Sequence, residues 1–252
     1  MTLLQELTIF FKHILHWIYY LVGFSFFFFS FGLQEVVFFR KSYSLPLPST
    51  NSFSVQIFNK IRQDLLPPDV PLIVTNPISA FLAQLMLSVL LAFLLTIPLL
   101  LYKIILYLRP ALLPHESKAV LWSLLPFTFL FLSGSAFSYF FLTPATFKVL
   151  YPYATTIGIV PFFSLNEFIH YVFSLTVSTG LMFLLPLFMI VLTMMGIVKA
   201  EFWRDKWRQA LLFFLVLSAV VTPDGTGVTM AILFLPLALL YIIGYIFARK
   251  VN

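Results

Sequence analysis

The fold class the sequence predicts is an all-α integral membrane protein with six transmembrane helices and both termini inside, and three observations predict it. Hydrophobic residues fill 61% of the 252 positions and charged residues 10%, against about 25% charged in a soluble domain. Apolar runs long enough to cross a bilayer alternate with short basic or proline-punctuated segments. Lys and Arg, finally, are shared unevenly between alternate loops. The whole chain, 1–252, reads as one membrane domain.

Composition also excludes several classes. With no cysteine there is no disulfide framework, no thiolate chemistry and no cysteine metal site. The net charge of +6 is spread over the loops between spans, so no nucleic-acid patch is expected. Met1 to Phe10 has no basic segment and carries Glu6, so no cleavable signal sequence is expected.

In chain order, Met1 to His13 places Leu3, Leu4, Leu7 and Phe10 at helical spacing, which predicts a short interfacial helix. The first span covers 14–31, without a charge. Residues 32–80 form an outer cap loop, broken by Pro46, Pro48, Pro67, Pro68, Pro71 and Pro77. Within it, Val55, Phe58, Ile61 and Leu65 stripe one face of an amphipathic surface helix over Phe53–Leu65, and Val70 to Val74 reads as extended. The second span is 81–102, with Pro98 near its inner end. The third is 119–142, where Ser133, Gly134, Ser135, Ala136 and Ser138 let backbones approach closely, and Pro144 is expected to end the helix. The fourth is 168–198, long enough to tilt. Lys199 to Arg208, with Trp203 and Trp207, is an inner interfacial anchor. The fifth and sixth spans, 209–221 and 228–248, read as a hairpin of short spans around the turn at Thr222-Pro223-Asp224-Gly225.

Orientation follows from charge. Ten of the fifteen basic residues fall on one side: Lys12, Lys103, Arg109, Lys118, Lys199, Arg204, Lys206, Arg208, Arg249 and Lys250. That side is assigned to the inside. It includes the turn from Tyr107 to Lys118, where Arg109-Pro110 breaks the helix and His115 and Glu116 follow between two apolar spans. Taken alone, this stretch reads more readily as an ordinary basic loop with a solvated glutamate than as a binding site.

The motifs and their order, taken together, resemble the TatC family, the core membrane subunit of the twin-arginine protein translocase. The residues that carry the resemblance are Leu4-Gln5-Glu6-Leu7, Leu65-Leu66-Pro67, Pro77 to Phe81, Pro98, and the segment Tyr102 to Glu116. Further on they are Gly134-Ser135-Ala136-Phe137-Ser138-Tyr139, Pro144, Phe147, Glu167, Gly180, Phe183, Pro186, Gly196-Ile197, Thr222-Pro223, Pro236 and Leu240-Tyr241. The resemblance implies that Glu6, Tyr107, Pro110 and Glu116 bind signal peptides carrying an Arg-Arg pair. It implies structural or partner contacts for Pro98, Gly134, Phe137, Tyr139, Pro144, Phe183, Pro186, Thr222 and Pro223. It also implies single-span partners of the TatA/TatB type, self-association, and residence in a bacterial cytoplasmic membrane or an organellar one. No catalytic residue, cofactor or metal is implied.

The chain departs from the family pattern in places. A glutamate usual in the fourth span is replaced at Leu184-Leu185, and a second is Ile242. Ser79 stands where an acid is common, and Asp224 fits its turn only loosely. Two expectations follow for Leu184: a partner helix docks there by apolar packing with the hydroxyls of Ser174, Thr176, Ser178 and Thr179, or Leu184 faces lipid. Rival functions rank lower. A small-molecule transporter predicts mid-membrane charges and inverted repeats, and neither is visible. An intramembrane enzyme needs a nucleophile–base or metal set, yet His13, His16, His115 and His170 all fall near span ends.

Overall fold

The computed structural model describes residues 3–38, 41–66, 70–108, 124–156, 158, 162–222 and 227–251. Helix α1 spans Leu3–Ser30 without interruption. The expected separate interfacial helix is therefore corrected: it is the first part of α1. No proline lies in that region, and His16 Nδ1 meets the Lys12 carbonyl at 2.7 Å across the expected boundary, so nothing breaks the helix there.

Two strands that the sequence reading missed follow. Strand β1 (Phe31–Phe38) pairs antiparallel with β2 (Lys41–Pro48), in register from Phe31↔Pro48 to Phe38↔Lys41. Pro46 and Pro48 argue against a central strand, but a two-stranded ribbon has only edges, where proline is tolerated. Helix α2 (Phe53–Leu65) forms as its apolar stripe predicts. Ile61 and Leu65 are buried against Ala83, Leu87 and Leu90, while Lys60 and Arg62 stay exposed. Gln84 ties the layers together, its Nε2 donating to Ser52 Oγ at 3.0 Å and to the Phe29 carbonyl at 3.4 Å. Strand β3 (Leu72–Ile73) then pairs in parallel with β4 (Phe163–Ser164), joining two distant loops.

Helix α3 (Pro77–Leu108) has 32 residues and carries Pro98 in its interior, so the second span continues well past the expected 102. The third span is described from Leu124 as α4 (Leu124–Phe137), a π-helical turn (Ser138–Leu142) and α5 (Thr143–Thr156). Pro144 does not end this helix, contrary to expectation. The π turn lengthens the hydrogen-bond ring just ahead of it, with Thr143 N–H donating to the Ser138 carbonyl. A proline in the first turn of the following segment then leaves few donors unmade.

The fourth span is likewise two helices, α6 (Leu165–Met182) and α7 (Leu185–Met194), with a break at Phe183–Leu184 and Pro186 in the first turn of α7. The charged anchor becomes α8 (Ala200–Asp205) and the start of α9 (Trp207–Val221). The last helix is α10 (Val228–Val251). Of the last two helices α9 alone is short: its 15 residues rise about 22 Å, whereas the 24 of α10 rise about 36 Å, so the expectation of a short sixth span is corrected. Among the described residues five helical stretches are long and apolar enough to cross a membrane, and α9 is a shorter apolar helix.

Contacts fix how the helices run. Phe29 meets Phe81, and Trp17 meets Phe93, so α1 and α3 are antiparallel. Phe93 meets Phe131 while Leu101 clusters with Phe127, and Phe147 meets Phe168 while Gly134 faces Phe183, so α4–α5 runs opposite to both α3 and α6. A Cβ at Gly244 would touch Pro186, and Leu233 shares a cluster with Leu175, so α10 runs parallel to α6–α7. Leu3 and Val251 consequently lie at the same end of the array.

Candidate functional site

Of the four residues that the resemblance assigns to signal binding, the two that are described sit at the end of the array where Leu3 and Val251 lie. Glu6 lies in the second turn of α1 and Tyr107 in the last turn of α3, where it is half-buried. Pro110 and Glu116 lie outside the described residues, as do Arg109 and Lys118. The α1–α3 register, set by Phe29 with Phe81 and by Trp17 Nε1 donating to the Thr96 carbonyl at 3.2 Å, can be carried down both helices. At equal rise per residue it puts position 6 level with the last turn of α3, where Tyr107 is. Two of the four residues, 101 positions apart in sequence, thus lie at a common height on adjacent helices.

The residues expected to be structural gather in the middle of the array. Gly134 on α4 faces the break between α6 and α7: a Cβ there would come 2.8 Å from Phe183 Cβ and 2.9 Å from the Thr179 carbonyl. Gly180 makes the reciprocal approach, since its Cβ would lie 2.6 Å from Ser135 Oγ. Phe137 stacks on Phe141 at 5.5 Å and leans on Phe183 at 5.7 Å. The small-residue cluster is therefore a backbone-to-backbone contact of the kind that holds helices together in lipid. Pro186 packs under Gly244 of α10, and Pro98 is half-buried within α3. Thr222 is buried and donates to the Ser218 carbonyl at 2.7 Å, closing α9; Pro223 lies outside the described residues.

Leu184 corrects both expectations made for it. Only 3% exposed, it sits in a cluster with Ile97, Leu101, Phe127, Phe131 and Leu187. Neither lipid nor a partner helix reaches it, because the break before Pro186 turns it inward onto α3 and α4. Ile242, by contrast, is 54% exposed.

Two polar ties escaped sequence reasoning. Tyr139 in the π turn donates its hydroxyl to Asp64 Oδ2 at 2.6 Å, clasping α2 to the third span across 75 positions. Near the termini end, Tyr241 Oη donates to the Trp203 carbonyl at 2.5 Å and Trp203 Nε1 to Thr193 Oγ1 at 3.0 Å, linking α10, α8 and α7. Buried tyrosine and tryptophan need such partners, which was the available signal. Arg204 pairs with Asp205 at 3.1 Å, and both are largely exposed, so this pair adds little. Among the described residues no three His, Asp or Glu side chains come together to hold a metal ion.

This arrangement is shared with known proteins. The family model for the Sec-independent protein translocase protein (TatC) matches residues 3–236. The chain belongs to the TatC family. A Sec-independent protein translocase protein TatC of Cenarchaeum symbiosum is 35% identical over 208 residues, covering 82% of this chain and 78% of the relative. One from Aquifex aeolicus is 30% identical over 193 residues, covering 75% and 79%. A crystal structure of a twin arginine translocase receptor TatC superposes with a TM-score of 0.75 over 98% of this chain and 99% of that one. At 24% identity that likeness establishes the fold, a mostly helical multi-span membrane protein. Membership in turn assigns the chain to Sec-independent protein translocation and leaves the small-molecule transporter reading without support.

Proposed function

We propose that this chain is the multi-span subunit of a twin-arginine translocase. In this reading it binds the Arg-Arg pair of a precursor's signal sequence at its inner face. It then assembles with itself and with single-span partners of the TatA/TatB type, and folded proteins cross the membrane of a bacterium or an organelle. The observation that supports it most is the α1–α3 register, which levels position 6 with Tyr107 at the chain segment leading to Glu116.

The chemistry fits an arginine pair. A guanidinium is planar, permanently charged and a bidentate donor, and a carboxylate accepts it in matching geometry. Two glutamates on one face serve two adjacent arginines, and Tyr107 offers a ring face to one of them. An exposed pair contributes only about 0–1 kcal/mol. Binding therefore draws also on partial desolvation at the membrane surface and on the apolar stretch of the signal. No step requires a catalytic residue, a cofactor or a nucleic acid.

Site-specific cross-linking from position 116 to a synthetic signal peptide tests the reading. The Arg-Arg peptide cross-links and a Lys-Lys version does so weakly. Glu6→Ala and Glu116→Ala each weaken binding at normal protein abundance, and Glu116→Asp is milder. Equal binding of the two peptides to the unmodified protein would remove the bidentate argument. Topology is tested separately: a cysteine at Ser49 labels from outside, and one at Ser117 only after permeabilisation. Labelling of both from the same side would defeat the arrangement of six spans in a single domain.

A further inference from the structure

Beneath α2 lies a cavity of about 420 Å³, bounded by α2, α3, α4 with its π turn, and α6. Its walls are apolar, built from Leu87, Leu90, Leu94 and Val172 among others. Along α4 and the π turn, Leu132, Ala136 and Phe140 recur every four residues on one face, and all three are exposed. The cavity therefore opens sideways, towards the lipid, rather than towards water.

Its polar groups are layered. Lys60 on α2 stands at the mouth and has no ion-pair partner among the described residues. Beside it, Tyr139 donates to Asp64, which lies one turn along α2 from Lys60. One turn deeper, about 6 Å along the helix, are Ser135 and Thr176, each 5% exposed. Ser135 Oγ donates to the Thr176 carbonyl at 3.4 Å, whereas Thr176 Oγ1 is buried with no hydrogen-bond partner. A buried hydroxyl in an apolar wall without a partner is costly. Below this level the lining is hydrocarbon only.

We infer that this cavity seats the glycerol ester and one acyl chain of a phospholipid, with its phosphate on Lys60 at the mouth, an ester carbonyl accepting from Thr176, the acyl chain along the leucines of α3 and the second chain left in the bilayer. The order of groups inward from the mouth (cation, hydroxyl donor, hydrocarbon wall) is the order in which a phospholipid presents phosphate, ester and chain. Asp64 at the same rim places a negative charge beside the cation, which favours a headgroup carrying both signs, such as phosphoethanolamine, over a purely anionic one. A partner helix fits poorly: a cylinder about 10 Å across fills this volume within roughly one turn. An acyl chain is narrow enough to enter through the lateral opening. The site rests on α2 lying along the membrane surface and holds whichever face of the membrane that is.

Native mass spectrometry of the full chain, released from nanodiscs of equal phosphatidylethanolamine and phosphatidylglycerol, tests it. One phosphatidylethanolamine stays bound per chain. Lys60→Ala lowers its retention about tenfold, the order expected for one charge-assisted hydrogen bond. Ala136→Trp, which blocks an exposed opening, does the same, and Thr176→Val, which keeps the shape, lowers it by a smaller factor. The circular dichroism and unfolding midpoint of the delipidated variants match those of the unmodified chain. No retained phospholipid, retention unaltered in all three variants, or a peptide or second chain in its place overturns the inference. Preferential retention of phosphatidylglycerol overturns the headgroup assignment.

Discussion

Helix α1 and the broken helix α6–α7 are both apolar enough to cross a membrane, yet they occupy opposite environments. Of the most apolar part of α1, none is buried inside the chain, whereas 61% of the most apolar part of the span from Leu165 to Met194 is. Mean hydropathy, 1.3 for α1 and 2.3 for α6–α7, does not foretell this, because either value suits lipid as well as a protein core. What separates them is small residues and hydroxyls. In α6, Thr176, Thr179 and Gly180 are buried against α4; the phenylalanine run Phe26 to Phe29 in α1 leaves Phe26 67% exposed. Between helices in lipid, association comes from close packing rather than from the hydrophobic effect. The composition of a span thus tells which neighbour it has.

This contrast can be broken by mutation. The largest effect is expected at Leu184, enclosed by five apolar neighbours: Leu184→Ala should cost about 2–5 kcal/mol of stability, read from unfolding in detergent. Phe26→Ala on exposed α1 should leave the midpoint close to unchanged, and equal losses at the two sites would dissolve the contrast. Next, Gly134→Ala should cost about 1–3 kcal/mol, because the added Cβ meets the Phe183 side chain and the backbone of Thr179. The matched change in α1, Gly23→Ala, meets nothing within 4 Å and should gain up to about 1 kcal/mol from helix propensity. A loss at Gly23 would mean that this face of α1, turned away from α3, has a close neighbour after all. Smallest is Tyr241→Phe, which removes the donor to the Trp203 carbonyl and should cost about 1 kcal/mol in the same measurement.

Much of this architecture was legible in the sequence. Each apolar run became a helix, and α2 was found because its stripe of Val55, Phe58, Ile61 and Leu65 has helical period. Apart from one local hairpin, what escaped depends on partners far along the chain. The β1–β2 ribbon was hidden by Pro46 and Pro48, which are excluded from central strands but not from a lone pair. The inward turn of Leu184 depends on a break whose only local cue is Pro186, and whose outcome is set by α3 and α4. At the candidate site, Glu6 and Tyr107 were singled out by resemblance, since nothing local distinguishes a solvated glutamate from a ligand. Their common level emerges only once α1 and α3 are paired through Trp17 and Phe29. Tyr139 was likewise singled out by resemblance, but no periodicity foretells its clasp on Asp64.

The π turn at Ser138–Leu142 has one more consequence, for tolerance to deletion. A π turn fits one more residue into a helix than α geometry allows, so both flanks keep their faces while the extra residue is absorbed locally. Removing one residue from the middle, for instance the exposed Phe141, returns the turn to α geometry with Gly134 upstream and Phe147 downstream still facing their neighbours. Pro144 would then bear on the carbonyl four residues before it, a conflict that the wider turn relieves. Residue count and proline are therefore a matched pair. Deletion of Phe141 alone should lower the yield of folded protein, and deletion of Phe141 together with Pro144→Ala should restore much of it, whereas a one-residue deletion within α6 would rotate every later contact by about 100° and find no single compensating change.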